Sequence, residues 1–275
     1  MTIPFSTYNE GSPLLFLHAN GYPPDCYRPL FDLLDDYKIT AMRQRPLWAG
    51  AEPKEVDDWH PLTDDLFRFM DERKLDGIPA VGHSLGGIAL LRAAIREPER
   101  FSQIILLDPV LFPPVFIGAM KIARTLNILD KIHPLIALAK QRRRVFKNRE
   151  MILHGYRKKK VFRYFSDESL ESYVNGITCQ QDDGSYKLCY SAEWEVRIYQ
   201  TGVWRDMEIW RELPKLKVPL LIIRGAETDT FLKSTEKKVM KKLPTAKISS
   251  IPKSTHLVPL EEPKMVSAEM VKFLT

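Results

Sequence analysis

Ile78-Pro-Ala-Val-Gly-His-Ser-Leu-Gly-Gly-Ile-Ala-Leu-Leu91 decides how the chain is read. Residues 78–81 are a short apolar run of the kind that forms a buried strand, and residues 88–95 read as a helix. Between them stands Gly82-His83-Ser84-Leu85-Gly86-Gly87, a G-x-S-x-G pattern. A strand that turns sharply into a helix forces its central residue into a strained conformation, so the residues two before and two after must be small. Gly82 and Gly86 meet that demand. Such a turn lifts the Ser84 hydroxyl above the sheet and aims the next backbone N–H, that of Leu85, at the same point. Ser84 is thus a candidate nucleophile and Leu85 a candidate oxyanion donor.

Outward from this unit, the pattern repeats. Residues 14–18 read as a strand running into the turn-rich Ala19-Asn-Gly-Tyr-Pro-Pro24. That loop is expected beside the elbow, which makes a backbone N–H near Asn20 the second candidate oxyanion donor. His18 reads as a structural histidine that holds the loop. Residues 39–42 form a short strand, 61–74 an amphipathic helix opened by Pro61, and 103–108 the strand after the elbow helix. Residues 218–224 and 246–251 are two further strands, with helices at 231–243 and 261–274. Strand alternating with helix predicts an α/β core, a mostly parallel sheet flanked by helices, built from residues 1–109 and 206–275. Residues 110–205 lack that alternation. Their apolar-basic helical patterns and one hairpin near Asp183-Gly184 predict a mainly helical cap, or lid, inserted into the core.

A serine nucleophile needs a base, and the base needs an orienting acid. His256, in Ser254-Thr-His-Leu-Val-Pro259 after the last strand, is placed to reach back over Ser84. Asp229 and Asp108 both follow buried strands. Asp229 precedes His256 by 27 residues, room for one helix and one strand, so it is the preferred acid and Asp108 the alternative.

Composition limits the other readings. With 275 residues, 44% hydrophobic and 28% charged, the chain suits one large soluble domain. No apolar run approaches the roughly 18 to 20 residues of a membrane span, and the first eight residues lack a basic, then apolar, leader pattern. A cytoplasmic protein without stable membrane insertion is expected. Three cysteines without a C-x-x-C spacing point to free thiols, although Cys179 and Cys189 flank a turn at 182–185. No metal-spaced cluster and no G-x-G-x-x-G loop stand out, so neither metal nor cofactor is expected. The net charge of +6 is uneven: residues 110–205 carry 17 Lys and Arg against 9 Asp and Glu, and the remainder 24 against 26. A solvated cationic face is the expected reading, with no nucleic-acid partner.

Together, Leu17-His-Ala-Asn-Gly21, Gly82-His-Ser-Leu-Gly-Gly87, Pro98-Glu-Arg-Phe101, the 225–229 strand end and Thr255-His-Leu-Val-Pro-Leu-Glu-Glu-Pro263 resemble the α/β-hydrolase superfamily. Residues 173–176, 182–188 and 193–199 look like cap segments of its esterase- and lipase-like members. The resemblance implies a serine hydrolase (a carboxylesterase or lipase) with a Ser-His-Asp triad and an acyl-enzyme. It implies a small-molecule ester substrate with a small to medium, largely apolar acyl group, and a monomer or homodimer. C–C bond hydrolysis, perhydrolysis and interfacial lipolysis use the same triad and stay open, as does a non-catalytic binding module on this fold. Two departures stand out: His18-Ala19 replaces the usual His-Gly, and the acid loop carries one extra residue between glycine and aspartate. Serine at the elbow, where aspartate would be expected, argues against epoxide hydrolase or haloalkane dehalogenase chemistry.

Overall fold

The computed structural model describes residues 2–275. In chain order the first part runs β1 (Phe5–Tyr8), β2 (Ser12–Leu17), α1 (Arg28–Phe31), β3 (Tyr37–Met42), α2 (His60–Arg73), β4 (Ile78–His83), α3 (Leu85–Arg96) and β5 (Phe101–Leu107). Between β5 and β9 come α4 (Pro114–Thr125), α5 (Leu129–Ile132), α6 (Pro134–Gln141), β6 (Val145–Phe146), α7 (Arg149–Arg157), α8 (Asp167–Ile177), β7 (Thr178–Gln180), β8 (Tyr186–Leu188), α9 (Ala192–Thr201) and α10 (Met207–Glu212). The chain closes with β9 (Leu220–Gly225), α11 (Lys233–Lys242), β10 (Lys247–Ile251), α12 (Val258–Glu261) and α13 (Pro263–Leu274).

Seven strands form the main sheet in the order β1-β3-β2-β4-β5-β9-β10. All pairs are parallel except β1 with β3. Parallel strands buried on both faces need apolar residues at every position, and alternate residues then feed opposite cores. The central strands obey this: Ile104, Leu106, Leu220 and Ile222 enter one apolar cluster, and Ile105, Leu107, Leu221 and Ile223 the other. This α/β-hydrolase fold agrees with the expected class. β1 has no counterpart in the sequence reading. It is a four-residue edge strand with one buried side chain, so it carries almost no apolar periodicity.

The residues between β5 and β9 have no core of their own. Leu111, Ile117, Ile136 and Trp194 join the first cluster, while Phe146, Ile152, Phe162 and Tyr173 join the second. Strands β6 to β8 form a small antiparallel sheet in the order β6-β8-β7, with the expected turn at Gly184, where φ is +79°. The expected free thiols are corrected here: Cys179 and Cys189 form a disulfide, because the β7–β8 pairing brings their Cα atoms to 5.6 Å. Cys26 stays a free, buried thiol. No helix among the described residues is long and apolar enough to cross a membrane.

Candidate active site

The turn from β4 into α3 is as tight as its glycines require. A Cβ on Gly82 would stand 2.6 Å from the Gly86 carbonyl oxygen, and one on Gly86 only 2.4 Å from that of Leu17. Only glycine allows this approach, and the second contact seats the start of α3 directly on the end of β2. Ser84 takes φ 54° and ψ −113°, a conformation that L-residues rarely adopt and that costs of the order of 1–3 kcal/mol. Its Ser84 N–H bonds the Leu107 carbonyl at 3.0 Å, so the strain is held by β5.

A hydrogen-bonded row converges on this serine. His256 Nε2 lies 2.8 Å from Ser84 Oγ, and His256 Nδ1 lies 2.8 Å from Asp108 Oδ1. A carboxylate only accepts, so Nδ1 carries the proton and Nε2 is left to accept from the serine hydroxyl. Asp108 is fully buried, and two further donors fix it: the Gly225 N–H to Oδ2 at 2.9 Å and the Thr228 hydroxyl to Oδ1 at 2.7 Å. A Cβ on Gly225 would lie 2.1 Å from the Thr255 carbonyl oxygen, so the end of β9 packs against the loop that carries His256.

Asp229, the acid preferred from the sequence, is not in this row. It is exposed, and among the described residues its carboxylate accepts only from the neighbouring Thr230 hydroxyl at 3.3 Å. This placement, which differs from the sequence expectation, has a physical reason. The loop after β9 points donors, not a carboxylate, at the centre, while β5 ends one strand nearer to Ser84 and delivers Asp108 against His256. The extra residue in the 225–229 loop was the available signal. A buried carboxylate at the end of the strand that follows the elbow helix was the other.

The two candidate oxyanion donors sit at abutting chain ends. Leu85 opens α3, where the first N–H groups of a helix lack intrahelical partners. Neither its N–H nor that of Asn20 meets an acceptor among the described residues. The Asn20 loop is held from three sides: Ala19 N–H bonds Tyr27 Oη at 3.0 Å, Tyr190 Oη donates to Asn20 Oδ1 at 2.6 Å, and Asn20 Nδ2 reaches the Glu195 carbonyl at 3.5 Å. Tyr190 and Glu195 were not singled out as site residues, because their role depends on the chain folding back over the Asn20 loop.

Two more histidines organise the site without joining the row. His83 Nε2 lies 2.9 Å from the His256 carbonyl oxygen and must therefore carry the proton, so Nδ1 accepts from Tyr27 Oη at 2.7 Å. Tyr27 in turn accepts from Ala19 N–H, and one buried chain links the His256 loop to the Asn20 loop. Burial, reinforced by the nearby His256, holds the His83 imidazole well below its usual range and keeps it neutral. His18 donates from Nδ1 to the Ala19 carbonyl and accepts the Gln44 N–H at Nε2, with its pKa lowered to about 4 by burial. No cluster of three or more His, Cys, Asp or Glu able to hold a metal ion occurs among the described residues.

Such an arrangement can activate a hydroxyl, hold the resulting imidazolium beside a buried carboxylate and receive a developing oxyanion. Residues 14–269 match the model of the family described as alpha/beta hydrolase family. Uncharacterized hydrolase YugF of Bacillus subtilis (strain 168) is 24% identical over 90% of this chain and 84% of its own length. Esterase YbfF of Escherichia coli (strain K12) is 20% identical over 97% and 94%. The crystal structure of E-2-(acetamidomethylene)succinate hydrolase superposes with a TM-score of 0.77 at 16% identity, covering 99% of this chain and 95% of that one.

Proposed function

The chain belongs to the alpha/beta hydrolase family, and from that premise we propose that it is a serine hydrolase of carboxylic esters with small to medium, largely apolar acyl groups. The observation that carries this reading is the row Asp108–His256–Ser84, with both hydrogen bonds at 2.8 Å and the serine at a strained turn. His256 takes the Ser84 proton as the hydroxyl attacks the ester carbonyl, and Asp108 stabilises the imidazolium. The Leu85 and Asn20 N–H groups receive the oxyanion, each donor of this kind being worth about 10²–10³ in rate. His256 then protonates the leaving alcohol, and water activated by the same imidazole releases the acid from the acyl-enzyme. Residues 110–205 act as the cap, with Tyr190 and Glu195 holding the Asn20 loop from above.

A fluorophosphonate tests this directly. Mass spectrometry is expected to find the adduct on Ser84. Ser84→Ala is expected to fold, to resist labelling and to lose p-nitrophenyl ester turnover by about 10⁴ or more. Labelling elsewhere, or turnover that survives the substitution, overturns the reading. A series of p-nitrophenyl esters of rising chain length then measures the acyl pocket, each buried CH₂ adding about 0.8 kcal/mol until the pocket is full.

A further inference from the structure

The residues between β5 and β9 form a half-open cavity of about 380 Å³ between the end of α6, β6 and α7. None of Ser84, Asp108 and His256 lines it. Its walls carry Arg142, Arg143, His154, Lys158 and Lys159 and, among the described residues, no carboxylate. Its apolar lining is Phe146, Met151 and Ile152.

Several cations around this cavity already have acidic partners, although among the described residues Lys147 and Lys160 have none. Lys140, Arg144, Arg149, Arg157 and Arg163 each face a carboxylate, at distances from 2.5 to 3.5 Å. Arg142 is likewise engaged, by Glu195 at 2.9 Å and by Tyr173 Oη at 3.0 Å. Arg143, Lys158 and Lys159 have no carboxylate within ion-pair distance among the described residues, although they share one concave space. Two of them rest on aromatic faces: the Arg143 guanidinium lies 5.2 Å from the Phe146 ring centroid and Lys159 Nζ 4.3 Å from that of Tyr156. The Tyr156 hydroxyl, also in the cavity wall, is buried without a hydrogen-bond partner. Burial and the charge of Arg142 hold the Lys159 ammonium below its usual range. Like charges gathered around apolar walls and an orphaned hydroxyl are stabilised by an anion whose body is apolar.

We propose that this cavity is a second ligand site, separate from the serine centre, that takes a single amphiphilic anion such as an alkyl phosphate or a long-chain carboxylate. Arg143, Lys158 and Lys159 hold the head group, and Phe146, Met151 and Ile152 cover the chain. The ligand enters as a free monomer, since the site is a cavity of limited volume.

Calorimetric titration of the full chain with decyl phosphate below its micellar concentration tests the site. Saturable binding of one equivalent is expected, with inorganic phosphate and decanol each weaker by about tenfold or more, since head and chain both contribute. Arg143→Ala combined with Lys159→Ala is expected to lower the affinity by about tenfold or more, and Lys159→Arg to retain it. Both side chains are exposed, and circular dichroism checks that the double variant folds. The paired Arg163→Ala serves as a control that keeps the affinity. Equal affinity for decanol, or no effect of the double variant, overturns the proposal. So does binding to anionic phosphatidylglycerol vesicles without binding of monomeric decyl phosphate, which makes the basic surface a membrane contact instead.

Discussion

Asp108, just after β5, and Asp229, four residues beyond β9, occupy opposite environments on adjoining strand ends. Asp108 has no exposed surface and accepts hydrogen bonds from His256, Gly225 and Thr228. Asp229 is exposed and, among the described residues, meets only Thr230. The other acid of its loop, Glu227, also faces outward, to Arg163 at 2.9 Å and Tyr164 at 2.7 Å. Chain spacing to the histidine favours Asp229. The comparison teaches that a buried carboxylate is chosen by the donors that compensate its desolvation, and the loop after β9 spends its donors on Asp108.

The strongest way to break the comparison is to neutralise the buried member. Asp108→Asn keeps the shape but presents an amide that no longer stabilises the imidazolium and favours the wrong tautomer, so kcat is expected to fall by about 10⁴. Steady-state kinetics on a p-nitrophenyl ester measures this. A change of less than tenfold removes Asp108 from the role.

The same end of the sheet is expected to set the acid limit of stability. His18 has its pKa lowered from 6.5 to about 4 because burial disfavours the charged ring. The unfolded chain then binds a proton that the folded chain refuses. Its contribution is fully present above 6.5 and is lost as the pH falls towards 4, by at most about 3 kcal/mol. His83, held low by burial as well, acts in the same direction. Urea unfolding at pH 7, 5.5 and 4.5 reads the slope, and His18→Asn is expected to flatten it. An unchanged slope in that variant assigns the acid sensitivity elsewhere.

Much of the molecule was legible before any coordinates. The elbow that carries Ser84 and Leu85 was readable because two glycines, a buried strand and a helix constrain one another locally, and His256 stood out as a candidate because the last loop has few others. The choice between the two candidate acids was not readable, since Asp108 and Asp229 both follow apolar runs and what separates them, burial and the hydrogen bonds from Gly225, Thr228 and His256, comes from residues far from Asp108 in sequence. β1 was missed because an edge strand buries little. The Cys179–Cys189 pairing depended on hairpin register, which composition does not encode. The roles of Tyr190 and Glu195 arise where residues 110–205 fold back over the Asn20 loop, contacts between positions 170 and 175 residues apart in sequence.

The donors can be tested one at a time. Thr228 gives Asp108 a 2.7 Å bond, and hydrogen bonds to charged groups contribute about 1.5–3 kcal/mol. Thr228→Val keeps the volume and leaves the Gly225 N–H and His256 in place, so kcat is expected to drop by about tenfold, far less than for Asp108→Asn. Thr228→Ser is expected to recover most of it, because the hydroxyl is what matters. If serine fails as badly as valine, the methyl packing of Thr228 carries the effect.

The smallest expected effect is also the one that separates the two aspartates most cleanly. Among the described residues Asp229 has no side-chain partner beyond Thr230, lies at the surface and contributes no atom to the row around His256. Asp229→Asn removes one charge there, and a surface change of this kind shifts stability by no more than about 0.5 kcal/mol. Turnover is expected to stay within about twofold of the parent, since 0.5 kcal/mol corresponds to little more than that in rate. Comparing Asp229→Asn, Asp108→Asn and the double variant then closes the argument. If Asp229 is a bystander, the double variant matches Asp108→Asn alone, as independent sites add. If Asp229 can swing inward and substitute when Asp108 is neutralised, the double variant loses a further tenfold or more by about the same logic, and the loop after β9 holds a reserve acid.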